Sequence, residues 1–324
     1  MNIWKIIGKT ILNAVAITVI LLIFLHLGVT AWYVSFFMDA RGEFLVPGLD
    51  ASFVQQGFDY VTGEDVYLVS GYMDDQSPSR IYIRDAQGET RFVSLKNKDG
   101  SDYLDHSGGI CHNGEYVYVA ADGGFGVLEL TDVLDGGEAT VIGRIETGFD
   151  VSCCTVYNGH LLGGEFYRDG SHETDPSHRQ TTPNGTWNPA LIVAYPLDES
   201  TLFGVSATPV GAISAPELMQ GFCFTSTNEL VLSTSYGLKS SHLYYHTLNT
   251  ANAGAIELGG VEVPLIYLDE TTLTHEVKLP PMSEEILCRD GAVYIMNESA
   301  SNKYIFGKFI RGYQVFSYER KGED

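Results

Sequence analysis

Two hydrophobic patterns divide the chain. From Thr10 to Met38 there is no charged residue, and 11–34 is dominated by Ile, Leu, Val, Ala and Phe. A helix of about 20 apolar residues crosses a hydrocarbon core, so 11–34 is expected to be one transmembrane anchor. Lys5 and Lys9 stand ahead of it in a short cytoplasmic segment, 1–10, while Trp32 and Tyr33 suit the outer interface. This predicts a single-pass cell-membrane protein whose C-terminal domain lies outside the cytoplasm. The alternative is a signal peptide cleaved after Val29-Thr30-Ala31, with the rest secreted, although the apolar run continues through Trp32–Phe37. His26 reads as a polar residue tolerated within the span. Residues 35–43 would be a linker, and 44–324 the ectodomain.

Past the anchor, short apolar runs alternate with Gly- and Asp-rich turns, and the pattern repeats. Strand entries occur at Gln56-Gly57-Phe58, Ser107-Gly108-Gly109-Ile110, Val151-Ser152-Cys153, Gln220-Gly221-Phe222 and Ser283-Glu284-Glu285-Ile286. Each entry is followed by a second apolar strand, at 66–72, 116–122, 160–166, 230–236 and 292–298. Third strands follow at 80–85, 125–130, 190–197, 242–248 and 314–318, with fourth strands at 89–95, 139–146, 208–213 and 274–279. Four-stranded units of about 45–65 residues are the signature of propeller blades. The fold class is therefore all-β, a single five-bladed β-propeller, with six blades as the alternative if Val261–Asp269 hides another. The fifth unit lacks its own fourth strand. Because an open strand edge is an aggregation hazard, the extended segment before the first repeat is expected to complete it. Only 299–309 reads as a short helix.

Composition agrees with this and removes one class of function. The 324 residues carry 35 Gly, 19 Tyr and 16 Phe, as turn-rich and aromatic-rich sheets require. Lys+Arg 19 against Asp+Glu 41 gives a formal charge of −22, so there is no basic footprint and no nucleic-acid partner is expected.

The repeats resemble those of bacterial extracytoplasmic propeller proteins of the strictosidine-synthase-like and YVTN/NHL-like kind. The stretch Phe53-Val54-Gln55-Gln56-Gly57-Phe58-Asp59-Tyr60 and the turn Ser70-Gly71-Tyr72 to Ser77-Pro78-Ser79-Arg80-Ile81-Tyr82 are also similar to the first blade of five-bladed glutaminyl cyclases. At its second-blade entry that family places a Gly-Glu-Gly whose glutamate is catalytic. Here the sequence is His106-Ser107-Gly108-Gly109-Ile110, so the resemblance transfers no catalytic residue.

Propeller geometry converts the repeats into a candidate site. Adjacent strands are antiparallel, so first-strand entries and second-strand exits converge on one mouth of the central channel. The entries bring Gln56, His106, Asp150, Gln220, Glu284 and Glu285, and the exits bring Tyr72, Asp122, Glu165, Tyr167, Tyr236, Asn297 and Glu298. The ligand-binding candidates are Gln56, Tyr72, His106, Asp122, Glu165, Tyr167, Gln220, Tyr236, Glu284 and Glu298. Such a ring suits a Ca²⁺ ion, a small polar molecule or a protein partner, and equally a water-lined channel. The polar insertion 167–188 would form a lid on that mouth; its His172 and His178 match no strong zinc spacing. Among nearby carboxylates, His106 is expected to titrate above about 6.5.

The five cysteines all fall in first-strand segments, which reads as buried small hydrophobes rather than disulfides. Asn184-Gly-Thr186 and Asn297-Glu-Ser299 match the glycosylation sequon. The chain contains no Gly-x-Ser-x-Gly, His-Glu-x-x-His, Walker loop or Cys-x-x-Cys. A membrane-anchored binding module fits these observations best. A metal-assisted hydrolase, lactonase or cyclase-like enzyme is the alternative.

Overall fold

A computed structural model describes residues 3–250, 253–304 and 306–320. Five blades surround a channel, each starting with its innermost strand: Phe53–Val61, Ile110–His112, Cys153–Tyr157, Met219–Phe224 and Ser283–Arg289. The middle strands are almost wholly buried. In Val66–Met73, for instance, only Tyr72 is partly exposed, because neighbouring blades cover both faces. Local chemistry sets the hairpins. Asn158-Gly159 and Asp290-Gly291 both take positive φ at the two turn positions, the conformation whose twist matches the flanking strands.

The ring closes as the repeat count requires. Ala40–Leu45 pairs antiparallel with Gln314–Tyr318, placing Ala40 opposite Tyr318 and Leu45 opposite Gln314. The fourth strand of blade 5 thus comes from the start of the chain, and the first and last segments clasp one another.

Several expectations need correction. Val261–Ile266 forms no sixth blade. With Ala253–Leu258 it makes a hairpin that joins the outer edge of blade 3, parallel to Gly211–Ala215. The stretch 139–146 is two strands serving different blades: Gly137–Val141 runs parallel to Thr90–Asn97 of blade 1, and Gly143–Glu146 completes blade 2. Residues 299–309 hold two 3-10 turns, Glu298–Ala300 and Phe306–Phe309, in place of a helix. A short helix over Leu130–Asp135 was not anticipated.

The anchor segment also differs from expectation. An apolar helix α1 spans Ile3–Trp32, long and apolar enough to cross a membrane, with no buried residue. A second helix α2, Val34–Asp39, follows at once and leads into Ala40–Leu45, so 35–43 is helix and strand, not linker. Tyr33 and Phe36 are buried in the core between blades 4 and 5, where the Phe36 ring lies 5.5 Å from Phe316. Cys223 and Cys288, on the innermost strands of blades 4 and 5, form a disulfide, whereas Cys111, Cys153 and Cys154 are buried free thiols. The spacing argument had counted five equivalent thiols; only tertiary register reveals which two face each other.

Candidate binding site at the channel mouth

The channel axis is closed by one carboxylate. Glu285 of blade 5 is 1% exposed and reaches across to three other blades. Its Oε2 accepts from the backbone N–H of Phe58 (2.7 Å) and Ile110 (2.8 Å), and its Oε1 from Cys154 N–H (2.8 Å). The glycines of the repeat exist to let this happen. A Cβ on Gly109 would stand 2.3 Å from Glu285 Oε1, and one on Gly221 would stand 2.5 Å from Glu285 Cα. Burial pushes the Glu285 carboxyl up to about 8, while the three N–H bonds pull it down. All three neighbours are donors, so the cradle is built for the ionised form.

Above this plug lies a cavity of about 1190 Å³. Gln56, Tyr72, His106, Asp122, Glu165, Gln220, Tyr236, Glu284 and Glu298 all line it, as does Asp150. Tyr167 does not. It is buried, edge-on to Trp187 of the insertion at 5.2 Å. Residues the repeat reasoning passed over also line the cavity: Phe149, Lys303 and Tyr304. Lys303 and Tyr304 sit just beyond the exit of the last blade, and extending the exit window by a few residues would have found them.

The cavity floor is a hydrogen-bonded polar cluster. Gln56 donates through Nε2 to Glu298 Oε2 at 3.1 Å, and its Oε1 lies 2.6 Å from His106 Nε2. Glu284 is buried, and the neighbouring Glu298 carboxyl adds to the effect of burial in raising its proton affinity. Burial drives Glu284 well above the ordinary carboxylate range; it also raises Glu298, to about 7, against the opposing pull of Gln56 and Lys303. Lys303 Nζ donates to Tyr72 OH at 2.6 Å, and the Tyr72 ring lies 4.5 Å from His106.

His106 titrates below its ordinary value, not above it. The residue is exposed to the cavity, and the protein atoms around that cavity still partly desolvate the ring. That desolvation dominates, the Lys303 charge adds to it, and Asp122 only partly opposes them.

Glu165, besides lining the cavity, anchors the insertion. It is 2% exposed, with Oε1 2.8 Å from His178 Nδ1 and Oε2 accepting from Leu191 N–H at 3.0 Å. Burial alone would lower His178, but the hydrogen bond and charge of Glu165 raise it. This pair ties the insertion to blade 3. The insertion is itself folded, with a 3-10 turn at Pro176–His178 and a small hairpin pairing Gln180–Thr181 with Trp187–Asn188. Its tip is pinned where Asn184 donates to Asp269 Oδ2 at 3.0 Å, so it forms a fixed wall of the mouth. Among the described residues, no three His, Cys, Asp or Glu side chains are grouped to hold a metal ion.

These features define a five-bladed β-propeller with an N-terminal apolar helix and a polar, mostly desolvated cluster at one end of its channel. No family model and no curated protein matches the chain in sequence. Among solved structures, it is similar to Myxococcus xanthus glutaminyl cyclase at 11% identity over 86% of this chain and 94% of that one (TM-score 0.45). The PQQ-bound aldose sugar dehydrogenase of Streptomyces coelicolor is similar at 12% identity, over 87% and 81% (TM-score 0.44). A nidogen/laminin complex chain is similar at 12%, over 76% and 73% (TM-score 0.42).

Proposed function

We propose that this protein is a membrane-anchored propeller whose mouth cavity binds a small, hydroxyl-rich and uncharged molecule. The single observation that carries this is the Gln56–His106–Glu298–Glu284 cluster on the cavity floor. An imidazole held below its ordinary pKa, an amide and two carboxyls raised by burial present donors and acceptors side by side. Tyr72, Phe149, Tyr236 and Tyr304 add apolar ring surface around them. Polar groups that fix orientation within an apolar wall are the usual make-up of a small-ligand site. The test is calorimetry of the detergent-solubilised chain with neutral sugars and polyols, alongside matched anionic and cationic compounds. Binding of a neutral polyol that is lost in Gln56→Leu, with the thermal transition retained, supports the reading. Binding only of charged compounds, or none from any class, overturns it.

One observation favours a second reading, acid–base catalysis. Glu298 lines the cavity within hydrogen-bond reach of Gln56, and burial pushes its carboxyl up to about 7 against the pull of Gln56, Lys303 and Glu284. Turnover of a bound neutral ester or lactone, abolished by Glu298→Gln, would establish that reading instead.

A further inference from the structure

Strand direction fixes which connections share the face that carries the cavity. In blade 5, Ser283–Arg289 runs away from the mouth, Ala292–Asn297 returns, and Gln314–Tyr318 runs away again. The connection holding Phe306–Phe309 is therefore on the mouth face. In blade 4, Met219 opposite Thr234 and Ser241 opposite Leu279 place the 235–240 loop and Lys278 there too.

The helix α1 meets the propeller on this same face. His26 Nδ1 lies 3.1 Å from Phe309 O, Tyr33 OH 3.0 Å from Ser240 Oγ, and the Lys278 ammonium 4.2 Å over the Trp32 ring. From Tyr33, α2 descends the groove between blades 4 and 5, and Ala40 enters its strand opposite Tyr318 on the far face. Traced backward, the chain climbs from far face to mouth and leaves the propeller on the mouth side. Between residues 3 and 25 every residue but Leu22 is exposed.

Length then sets the height of the membrane. Counted from Lys9, a hydrocarbon core of about 30 Å takes about 20 residues at about 1.5 Å each, ending near Val29. His26 and its contact with Phe309 fall in that last turn, which brings the mouth-face loops to the lipid interface. Those loops are suited to it. Leu104, Trp187, Leu238 and Phe309 expose their side chains on mouth-face connections. Lys278 and Arg311 stand at the helix base, over the rings of Trp32 at 4.2 Å and Phe37 at 4.8 Å. Exposed aromatics and basic groups beside a span favour the headgroup layer.

We propose that the propeller rests mouth-down on the leaflet from which α1 emerges, so that its cavity opens on the lipid headgroup layer rather than on free solvent. This rests on α1 spanning the bilayer. The test uses the full chain reconstituted into phosphatidylcholine–phosphatidylglycerol vesicles, with a single added thiol at Leu104→Cys, Leu238→Cys or, on the far face, Leu202→Cys. The native cysteines are buried or bonded. A polarity-sensitive label at positions 104 and 238 should be quenched several-fold more by headgroup-spin-labelled lipid than the label at 202. Equal quenching in chains that co-float with the vesicles after an alkaline wash overturns the orientation alone. Loss of co-flotation overturns the membrane-span reading, and this proposal with it.

Discussion

Removing the Glu285 carboxylate should disassemble the propeller from its axis. In Glu285→Ala, the N–H groups of Phe58, Ile110 and Cys154 lose their acceptor together, in a place water does not reach. Leaving a buried donor unsatisfied costs about 1–3 kcal/mol, so three cost about 3–9 kcal/mol. A domain's whole stability is typically about 5–15 kcal/mol, and this substitution should leave little or no folded protein. Glu285→Gln keeps the shape and one carbonyl oxygen. Turned so that the oxygen faces Phe58 and Ile110, it abandons only the Cys154 N–H, at a cost of about 1–3 kcal/mol. The assay is urea unfolding of the full chain in detergent, read by near-ultraviolet circular dichroism and tryptophan fluorescence. The order wild type, Gln, Ala, with the larger step at Ala, is expected. An alanine variant within about 1 kcal/mol of wild type, or a glutamine variant as damaging as alanine, would show that the three bonds do not hold the blades together.

Three further outcomes follow from the same geometry. Glu284 and Glu298 titrate in the fold above their ordinary 4.5, so the unfolded chain releases protons that the folded chain keeps; stability should fall as pH rises from about 4.5 toward 7, and Glu298→Gln should flatten that fall when unfolding is compared at pH 5 and pH 7. An unchanged slope would remove the account of two carboxyls raised by burial. Reducing the Cys223–Cys288 bond, or Cys223→Ser, opens a loop with a sequence separation of 65 and should cost about 4 kcal/mol in the same unfolding assay; no change on reduction would count against the bond. Glu165→Leu should free the insertion, seen as rapid protease cleavage within 167–188 while the rest of the chain stays intact, and an uncut insertion would mean that Asn184 and its neighbours hold it alone.

The sequence by itself determined the repeat and most strand positions, because each blade's alternation and turns are local: Asn158-Gly159 makes its hairpin whatever surrounds it. It also determined that an early strand must close the ring, since five entries with one missing outer strand leave an unpaired edge. Most of the mouth was legible, because antiparallel neighbours bring entries and exits to one end; of the residues assigned to it, Tyr167, Glu285 and Asn297 do not line the cavity. The tertiary structure decided the rest. Whether Val261–Ile266 begins a new blade or thickens an old one depends on which edge is free, a matter of long-range pairing. Which cysteines bond depends on register between blades 4 and 5. The charge states of His106 and Glu298 depend on how many protein atoms exclude water from them, and composition carries no such information. Glu285 shows the division most plainly: its place in a strand entry is visible in the sequence, but its grip on three blades exists only once five strands meet at one axis.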